Sequence, residues 1–363
     1  MQLFPTKYDE ILEKVELIQP INYASTRNYK NGNVTKLSPY ISRGVISTRF
    51  IYEKLVETGI NLKKCEKFIQ ELAWRDFWQQ IWVSKGSLIN KDLKRPQEDV
   101  NDFKISKSLV EAQTSINSVD EEIINLYENG YMHNHMRMYV ASIATNIAKS
   151  HWKIPARWMY YHLLDGDWAC NALSWQWVAG SNSNKKYYAN QDNINKYFNS
   201  NQKNTFLDNS YEFISSMNIP NEVEEKYDLE LNSNLQNNKE IRIDNSLPTL
   251  IYNYYNIDPN WRKDEKVNRV LIFEPRVFAE YPVSQKCVDF SLNLSKNIKD
   301  MQIFYGNFEE FCSRYNVPNL IFKEHPLNKH YSGFEDQRDW LFKIEGEYLS
   351  FFKYWNKIRK KLI

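Results

Sequence analysis

The sequence predicts a mainly helical protein that ends in a small α/β segment. Across residues 1–200 the apolar side chains recur with a helical period, and no alternating strand pattern occurs. Residues 267–325 instead show a β-α-β-α-β rhythm of short apolar runs and amphipathic stretches, which indicates a small parallel sheet. Residues 199–246 are rich in Asn, Ser, Lys and Glu and predict a surface linker. We therefore expect an all-helical domain over 1–200, a linker with short helices over 201–262, and an α/β domain over 263–363.

The helical elements are placed by apolar spacing and by chain breakers. Ile11, Val15 and Ile18 mark one face of the first helix. Asn129-Gly130 interrupts a later helical stretch, and Asp165-Gly166-Asp167 splits the last one. The predicted helical stretches are 8–18, 44–58, 66–83, 120–150 and 155–178.

The α/β segment is placed by short apolar runs, of which the clearest is Val-Asn-Arg-Val-Leu-Ile-Phe at 267–273. In chain order we expect a strand at 267–273, a helix at 284–298, a strand at 301–305, a helix at 308–315 and a strand at 319–323. The basic, aromatic tail 335–363 predicts an amphipathic helix.

Composition excludes several classes of protein. Of 363 residues 42% are apolar and 25% charged, which is ordinary for a soluble globular protein. The net charge of +2 does not indicate a nucleic-acid binder, so a DNA site requires a local basic patch. The four cysteines form no C-x-x-C pair, and no run of 18 apolar residues occurs. We expect a cytoplasmic protein without a structural zinc site, a disulfide framework or a membrane span.

The helix predicted at 66–83 carries an unusual stripe of side chains. A carboxylate, a guanidinium and three indoles fall on one face, at Glu71, Trp74, Arg75, Trp78 and Trp82. A ligand site explains this combination, and so does an indole core with an i,i+4 ion pair at its edge. The stripe alone does not decide between them.

Two later segments place polar groups within helical surroundings. Asn134, Arg137 and Met138 share a helix face, whereas His133 and His135 cannot, which disfavours a two-histidine metal site. Asp167 fits the N-cap of the next helix, and polar and indole side chains follow it at helical spacing. These features indicate either a ligand site or a capped, indole-packed helix. Ahead of another helix, residues 35–41 offer hydroxyls and backbone N–H groups that suit a phosphate.

Taken in order, these segments resemble the flavin-binding domain of the photolyase/cryptochrome family over residues 8–198. Five motifs carry the resemblance: Tyr23 with Arg27, Thr35-x-Leu37-Ser38-Pro39, Glu71-Leu-x-Trp74-Arg75-Asp-Phe77, Met132-His-Asn134-x-x-Arg137-Met138, and Asp165-Gly-Asp167-x-Ala-x-Asn171-x-x-x-Trp175-Gln-Trp177.

The resemblance implies that FAD binds inside an all-helical domain. It assigns the pyrophosphate and ribityl region to Tyr23, Arg27, Thr35, Leu37 and Ser38. It assigns the surroundings of the isoalloxazine to Arg75, Asn134, Arg137, Asp165, Asp167 and Asn171. Pairing Arg137 with Asp165 supplies a fixed cation there without a bare buried charge.

The resemblance also implies a reaction, the light-driven splitting of cyclobutane pyrimidine dimers in UV-damaged DNA by electron transfer from reduced FAD. The residues assigned to the lesion are Glu71, Trp74, Asn134, Met138 and Trp177, and Glu71 is also assigned a catalytic role. Trp175 and Trp152 match the inner and middle members of the family's photoreduction chain. The alternative is a blue-light photoreceptor of the cryptochrome type.

Two departures from the family pattern shape the expectation. No Trp lies between Trp82 and Trp152, so the usual outer member of the photoreduction chain is missing, and Trp158 or a tyrosine is its candidate substitute. The flavin motifs begin near residue 20, so the resemblance is to short photolyase-like proteins that lack the N-terminal antenna domain. We therefore assign no antenna chromophore and no metal. We expect a monomer whose preferred substrate is single-stranded DNA.

Overall fold

The structure is a computed structural model that describes residues 3–236, 240–344, 346–348 and 350–362. The chain divides into two compact units that are discontinuous in sequence. One unit consists of residues 1–18, 35–83 and 232–363, and the other of residues 19–34 and 84–231. The division into contiguous domains made from the sequence stays a prediction.

The unit that contains residues 84–231 is mainly helical. Its small antiparallel pair joins strands β1 (Ile105–Ser106) and β2 (Lys226–Tyr227). A π-helical turn at Ile143–Ile147 extends one of its helices, a feature that is frequent at functional sites. The helices of this unit are α2 (Pro20–Thr26), α6 (Lys107–Val110), α7 (Asn117–Asn129), α8 (Asn134–Ser142), α9 (Lys153–His162), α10 (Trp168–Ala179), α11 (Gln191–Phe198), α12 (Tyr211–Ser216) and α13 (Asn221–Glu224).

The other unit combines helices with a parallel sheet. Its strands are β3 (Thr249–Tyr252), β4 (Asn268–Phe273), β5 (Met301–Tyr305), β6 (Leu320–Lys323) and β7 (Phe334–Asp336). Its helices are α1 (Tyr8–Glu16), α3 (Ser38–Ser42), α4 (Thr48–Glu57), α5 (Glu66–Lys85, whose last two residues belong to the other unit), α14 (Pro275–Glu280), α15 (Gln285–Ser295), α16 (Phe308–Tyr315) and α17 (Phe351–Arg359).

The sheet has the strand order β5-β4-β3-β6-β7, and all neighbouring strands are parallel. Strand β3 is central, and Ile251 pairs with Val270 of β4 on one side and with Phe322 of β6 on the other. The side chains of Ile251, Val270 and Phe322 pack with Phe311 of α16 in one apolar core. Strands β3 and β4 are buried along their whole length, which explains the continuous apolar run Val270–Phe273 in β4.

Several sequence predictions agree with this architecture. The strand at 301–305 and the helix at 308–315 have the predicted bounds, and the linker contains the short helices α12 and α13. The sheet nevertheless has five strands rather than the three that were predicted. The two strands that the sequence analysis missed are β3 and β7. Strand β3 is four residues long and buried on both faces, so it shows neither alternation nor helical period.

The C-terminal tail is less helical than its amphipathic pattern predicts. The helix α17 covers only 351–359, and residues 334–336 pair with β6 as an edge strand. The aromatic and basic residues that produce the pattern belong mainly to α17. No helix of the described residues combines the length and the apolar character that a membrane span requires.

Candidate functional site

A largely buried ion pair joins two of the residues that the sequence assigns to the isoalloxazine surroundings, Arg137 and Asp165. The Arg137 Nη2 atom lies 3.0 and 2.9 Å from the two carboxylate oxygens of Asp165, whose side chain is 5% exposed. The Arg137 Nε–H donates to the Met132 carbonyl at 2.9 Å. The structure thus contains the pairing expected from the sequence, and the guanidinium is held in a fixed orientation.

The start of α8 positions Arg137, Asn134 and Met138. His133 caps this helix, because its Nδ1 accepts a hydrogen bond from the His135 backbone N–H at 3.2 Å. The Glu122 carboxylate accepts the His133 backbone N–H at 2.9 Å, and burial raises the pKa of Glu122. Burial also lowers the pKa of His133 to about 4, so this cap is a neutral imidazole. Asn134 is exposed and Met138 half-buried.

The start of α10 positions the remaining polar groups of the motif. Asp167 is its N-cap, and the Asp167 Oδ1 accepts the Cys170 N–H at 3.0 Å. One turn later the Asn171 Nδ2 donates to the Ala156 carbonyl at 2.8 Å. Further along α10, Trp175 is buried and Trp177 is 39% exposed. The structure thus confirms Asp167 as the N-cap, and the ligand site of this segment stays a prediction.

Trp152 is fully buried and held by a carboxylate. The Trp152 Nε1–H donates to the Asp92 Oδ1 at 2.7 Å, and the His151 Nε2 lies 3.4 Å from the same oxygen. The exposed Phe103 stacks on the His151 ring with centroids 4.9 Å apart. Within the described residues the indoles of Trp152 and Trp175 do not stack on each other. Trp158, the candidate outer member, donates its Nε1–H to the Tyr127 hydroxyl at 2.9 Å.

The N-terminal motif residues fall in two places. Tyr23 and Arg27 lie half-buried at the end of α2, where the Arg27 Nη1 donates to the Ala24 carbonyl at 3.0 Å. Thr35 precedes α3, and its Oγ1 accepts the Leu37 N–H at 3.3 Å. Leu37 is buried, and Ser38 is the first residue of α3.

Helix α5 holds Glu71, Trp74 and Arg75 in contact with neighbouring side chains. The Lys67 Nζ lies 2.9 Å from the Glu71 Oε1, and the Arg75 Nη2 donates to the Ser42 Oγ at 2.9 Å. The Trp74 indole stacks on Phe351 of α17, with centroids 3.5 Å apart and an interplanar angle of 9°. One face of this indole is therefore covered.

The predicted site residues are distributed over both units. Thr35, Leu37, Ser38, Glu71, Trp74 and Arg75 belong to the unit with the sheet. The helical unit contains Tyr23, Arg27, Asn134, Arg137, Met138, Trp152, Asp165, Asp167, Asn171, Trp175 and Trp177. Within the helical unit, the structure brings Arg137 and Asp165 into direct contact. The individual roles of all these residues stay predictions.

Three residues of this region were missed from the sequence. Lys67 lies four residues before Glu71, a spacing that could have revealed the pair. Asp92 and Phe351 contact Trp152 and Trp74 across 60 and 277 positions of the chain, and no local pattern reveals such contacts. The described residues contain no group of three or more His, Cys, Asp or Glu that could hold a metal ion.

Comparison with known proteins identifies the family of this chain. The family model described as the FAD binding domain of DNA photolyase matches residues 68–256, slightly more than half of the chain. A deoxyribodipyrimidine photo-lyase from Streptomyces griseus is 33% identical over 156 residues, which are 42% of this chain and 33% of the relative. A cryptochrome DASH from Danio rerio is 29% identical over 200 residues, which are 53% of this chain and 37% of the relative.

Among solved structures, a cryptochrome from Synechocystis is similar with a TM-score of 0.49 and 22% identity, over 53% of this chain and 44% of that chain. The matches span about a third to two fifths of the length of the curated relatives.

Proposed function

Because this chain belongs to the photolyase/cryptochrome family, we propose that it is a light-driven DNA repair photolyase that splits cyclobutane pyrimidine dimers. The observation that supports the proposal most is the buried Arg137–Asp165 pair inside the matched domain. A partly buried guanidinium that is neutralised and oriented in this way is a suitable permanent partner for an electron-rich ring, since it needs no reorganisation when charge develops.

The residues present fit FAD, the cofactor of this family. Arg137 has donors beyond the Nη2–H groups that face Asp165, because a guanidinium carries five N–H groups. The Asn171 amide uses one N–H for the Ala156 carbonyl, and its oxygen and second N–H have no further hydrogen bond within the described part of the chain. We assign the isoalloxazine surroundings to Arg137, Asp165 and Asn171 together with Arg75, Asn134 and Asp167.

The flavin, when bound and reduced, supplies the photoexcited electron donor. The chain supplies positioning, and the proposal assigns the lesion contacts to Glu71, Trp74, Asn134, Met138 and Trp177. Flipped-out bases are read by stacking on aromatic rings and by hydrogen bonds to their polar edges. Trp177 offers an exposed ring, and Glu71 offers a carboxylate that Lys67 holds in place.

We assign Trp152 and Trp175 to photoreduction of the flavin. Both indoles are buried, so they are shielded from solvent. The Asp92 carboxylate accepts the Trp152 Nε1–H and favours positive charge on that ring.

Single-stranded DNA is the preferred substrate in this proposal. The ratio of repair rates on matched single-stranded and duplex oligonucleotides, each with one thymine dimer, tests this preference, and a ratio below one contradicts it.

The second candidate is a blue-light photoreceptor of the cryptochrome type. The observation that favours it is the similarity to a protein named cryptochrome DASH. Bound, photoreducible flavin without dimer repair would favour this candidate over the photolyase.

Replacing Glu71 tests the proposed lesion contact. Glu71→Gln removes the negative charge and one acceptor, so we expect repair per absorbed photon to fall about tenfold with unchanged flavin content. Glu57→Gln is the matched control, because Glu57 is a carboxylate of the same unit that also forms an ion pair with a lysine, Lys54. Equal repair by both variants would remove Glu71 from the mechanism.

A further inference from the structure

Helix α17 has two distinct faces. Phe351, Tyr354, Trp355 and Ile358 are each at most 3% exposed. The Gln80 Nε2 donates to the Tyr354 hydroxyl at 3.3 Å. Together with the Phe351–Trp74 stack and an Arg359–Glu66 ion pair of 2.9 Å, this contact holds the apolar face on α5.

The outward face of α17 is cationic. Residues 348–363 contain five basic side chains and no acidic one. Lys353, Lys357 and Lys360 are exposed, and within the described residues none of them has a carboxylate partner. Some lysines elsewhere in the chain are paired, for example Lys107 with Glu225 at 2.8 Å and Lys186 with Asp99 at 2.6 Å. The protein has a net charge of only +2, so this face is a local concentration of positive charge.

The outward face also carries one large aromatic ring. Phe352 is 64% exposed and precedes Lys353 directly. Along a helix with a rise of 1.5 Å per residue, Lys353, Lys357 and Lys360 span about 10 Å. This length corresponds to about three phosphates of one DNA strand at 3.4 Å each. A row of ammonium groups beside a free aromatic ring suits a nucleic-acid strand, whose phosphates and bases need these two kinds of contact.

A lipid surface is the other polyanion to consider, and the burial pattern disfavours it. Amphipathic helices bind membranes by inserting their apolar face below the headgroups. The apolar face of α17 is already occupied by α5, so insertion would require the helix to detach. A nucleic-acid backbone, in contrast, needs only the outward face.

We propose that the outward face of α17, formed by Phe352, Lys353, Lys357 and Lys360, is a binding surface for the backbone of single-stranded DNA. The choice of DNA as the polyanion rests on the proposed function. The surface lies outside the matched residues 68–256, and its helix packs directly on Trp74. It supplies a local basic patch of the kind that a near-neutral chain needs to bind DNA.

The salt dependence of DNA binding tests this surface. The probe is a short fluorescent oligothymidylate without damage, titrated with the full chain at several salt concentrations. The variant carries Lys353→Gln, Lys357→Gln and Lys360→Gln. Each lost phosphate contact reduces the slope of log affinity against log salt by about 0.7 for a single strand, so we expect the slope to fall by about 2. Affinity at about 0.1 M salt should fall at least tenfold.

The control carries Lys263→Gln, Lys266→Gln and Lys299→Gln, three exposed lysines of the same unit with acidic neighbours in sequence. It has the same change in charge and should keep the slope of the parent chain. Phe352→Ala is a second variant, and loss of base stacking should weaken binding about tenfold with an unchanged slope.

Three outcomes would contradict the proposed DNA-binding surface. The first is that the parent chain does not bind the oligonucleotide, and the second is that the two triple variants have equal salt slopes. The third is that the parent chain and the control bind phosphatidylserine vesicles whereas the α17 variant does not. Light-driven dimer repair by the parent chain is measured in parallel. If the α17 variant has a lower salt slope but the parent chain repairs no dimers, the result supports the DNA-binding surface and contradicts the photolyase proposal. If the parent chain repairs dimers but the two triple variants have equal slopes, the result contradicts the surface and supports the photolyase proposal.

Discussion

Phe351 covers one face of Trp74, with the two ring centroids 3.5 Å apart and the planes nearly parallel. Trp74 is a predicted lesion contact, and Phe351 begins a helix far away in sequence. In the proposed function Trp74 therefore contacts DNA through the part of its ring that Phe351 leaves uncovered. The same stack anchors α17, so the candidate site and the C-terminal helix depend on each other.

Removing the Phe351 ring should destabilise the fold. Phe351 is 3% exposed, and we expect Phe351→Ala to lower the free energy of unfolding by about 3 kcal/mol, because a buried ring is replaced by a cavity. The adjacent Phe352 is 64% exposed, and Phe352→Ala should change stability by less than about 0.5 kcal/mol. Urea denaturation of the two variants measures the difference, and equal stabilities would show that the stack contributes little.

Stability should depend on pH through Asp76. Burial raises the pKa of Asp76 to about 6 in the folded protein, although Leu341 N–H and Thr48 Oγ1 donate to its carboxylate. The folded state therefore binds this proton more tightly than the unfolded state, whose Asp pKa is near 3.9. The stabilising effect of protonation is present at low pH and is lost as pH rises through about 6.

Asp76→Asn isolates this contribution, because the amide imitates the protonated acid. The stability of the variant relative to the parent should increase by about 2–3 kcal/mol between pH 4 and pH 7. Asp264→Asn, at an exposed position, should follow the parent curve. Parallel curves for Asp76→Asn and the parent would contradict the assignment.

Flavin binding should depend on the Arg137–Asp165 pair. Asp165→Asn leaves the guanidinium partly buried without its counterion, so we expect flavin content per protein to fall at least tenfold. Asp192→Asn is the control, since it removes an exposed ion pair with Lys203 in the same unit. Absorbance of the purified variants measures flavin content. Full flavin content in Asp165→Asn would show that the pair is not part of the cofactor site.

The sequence was most informative where function constrains short motifs. The contact between Arg137 and Asp165 was expected from the family resemblance, which assigns both residues to the isoalloxazine, and because a buried cation needs a counterion. Strand β3 was not found, since four residues buried between two strands leave no periodic signal. The Phe351–Trp74 stack was not found either, because a tertiary contact over such a separation has no local signature. Glu335 and Asp336 fall in the predicted tail helix but pair with β6 as part of an edge strand, a tertiary contact that has no local signature.

The most direct test of the central claim is light-driven repair of one thymine dimer in a synthetic oligonucleotide by purified, flavin-reduced protein. We expect loss of the dimer under blue light, no loss in the dark, and a faster reaction on the single strand than on the duplex. A protein that retains its flavin and leaves the dimer intact under light would contradict the photolyase assignment.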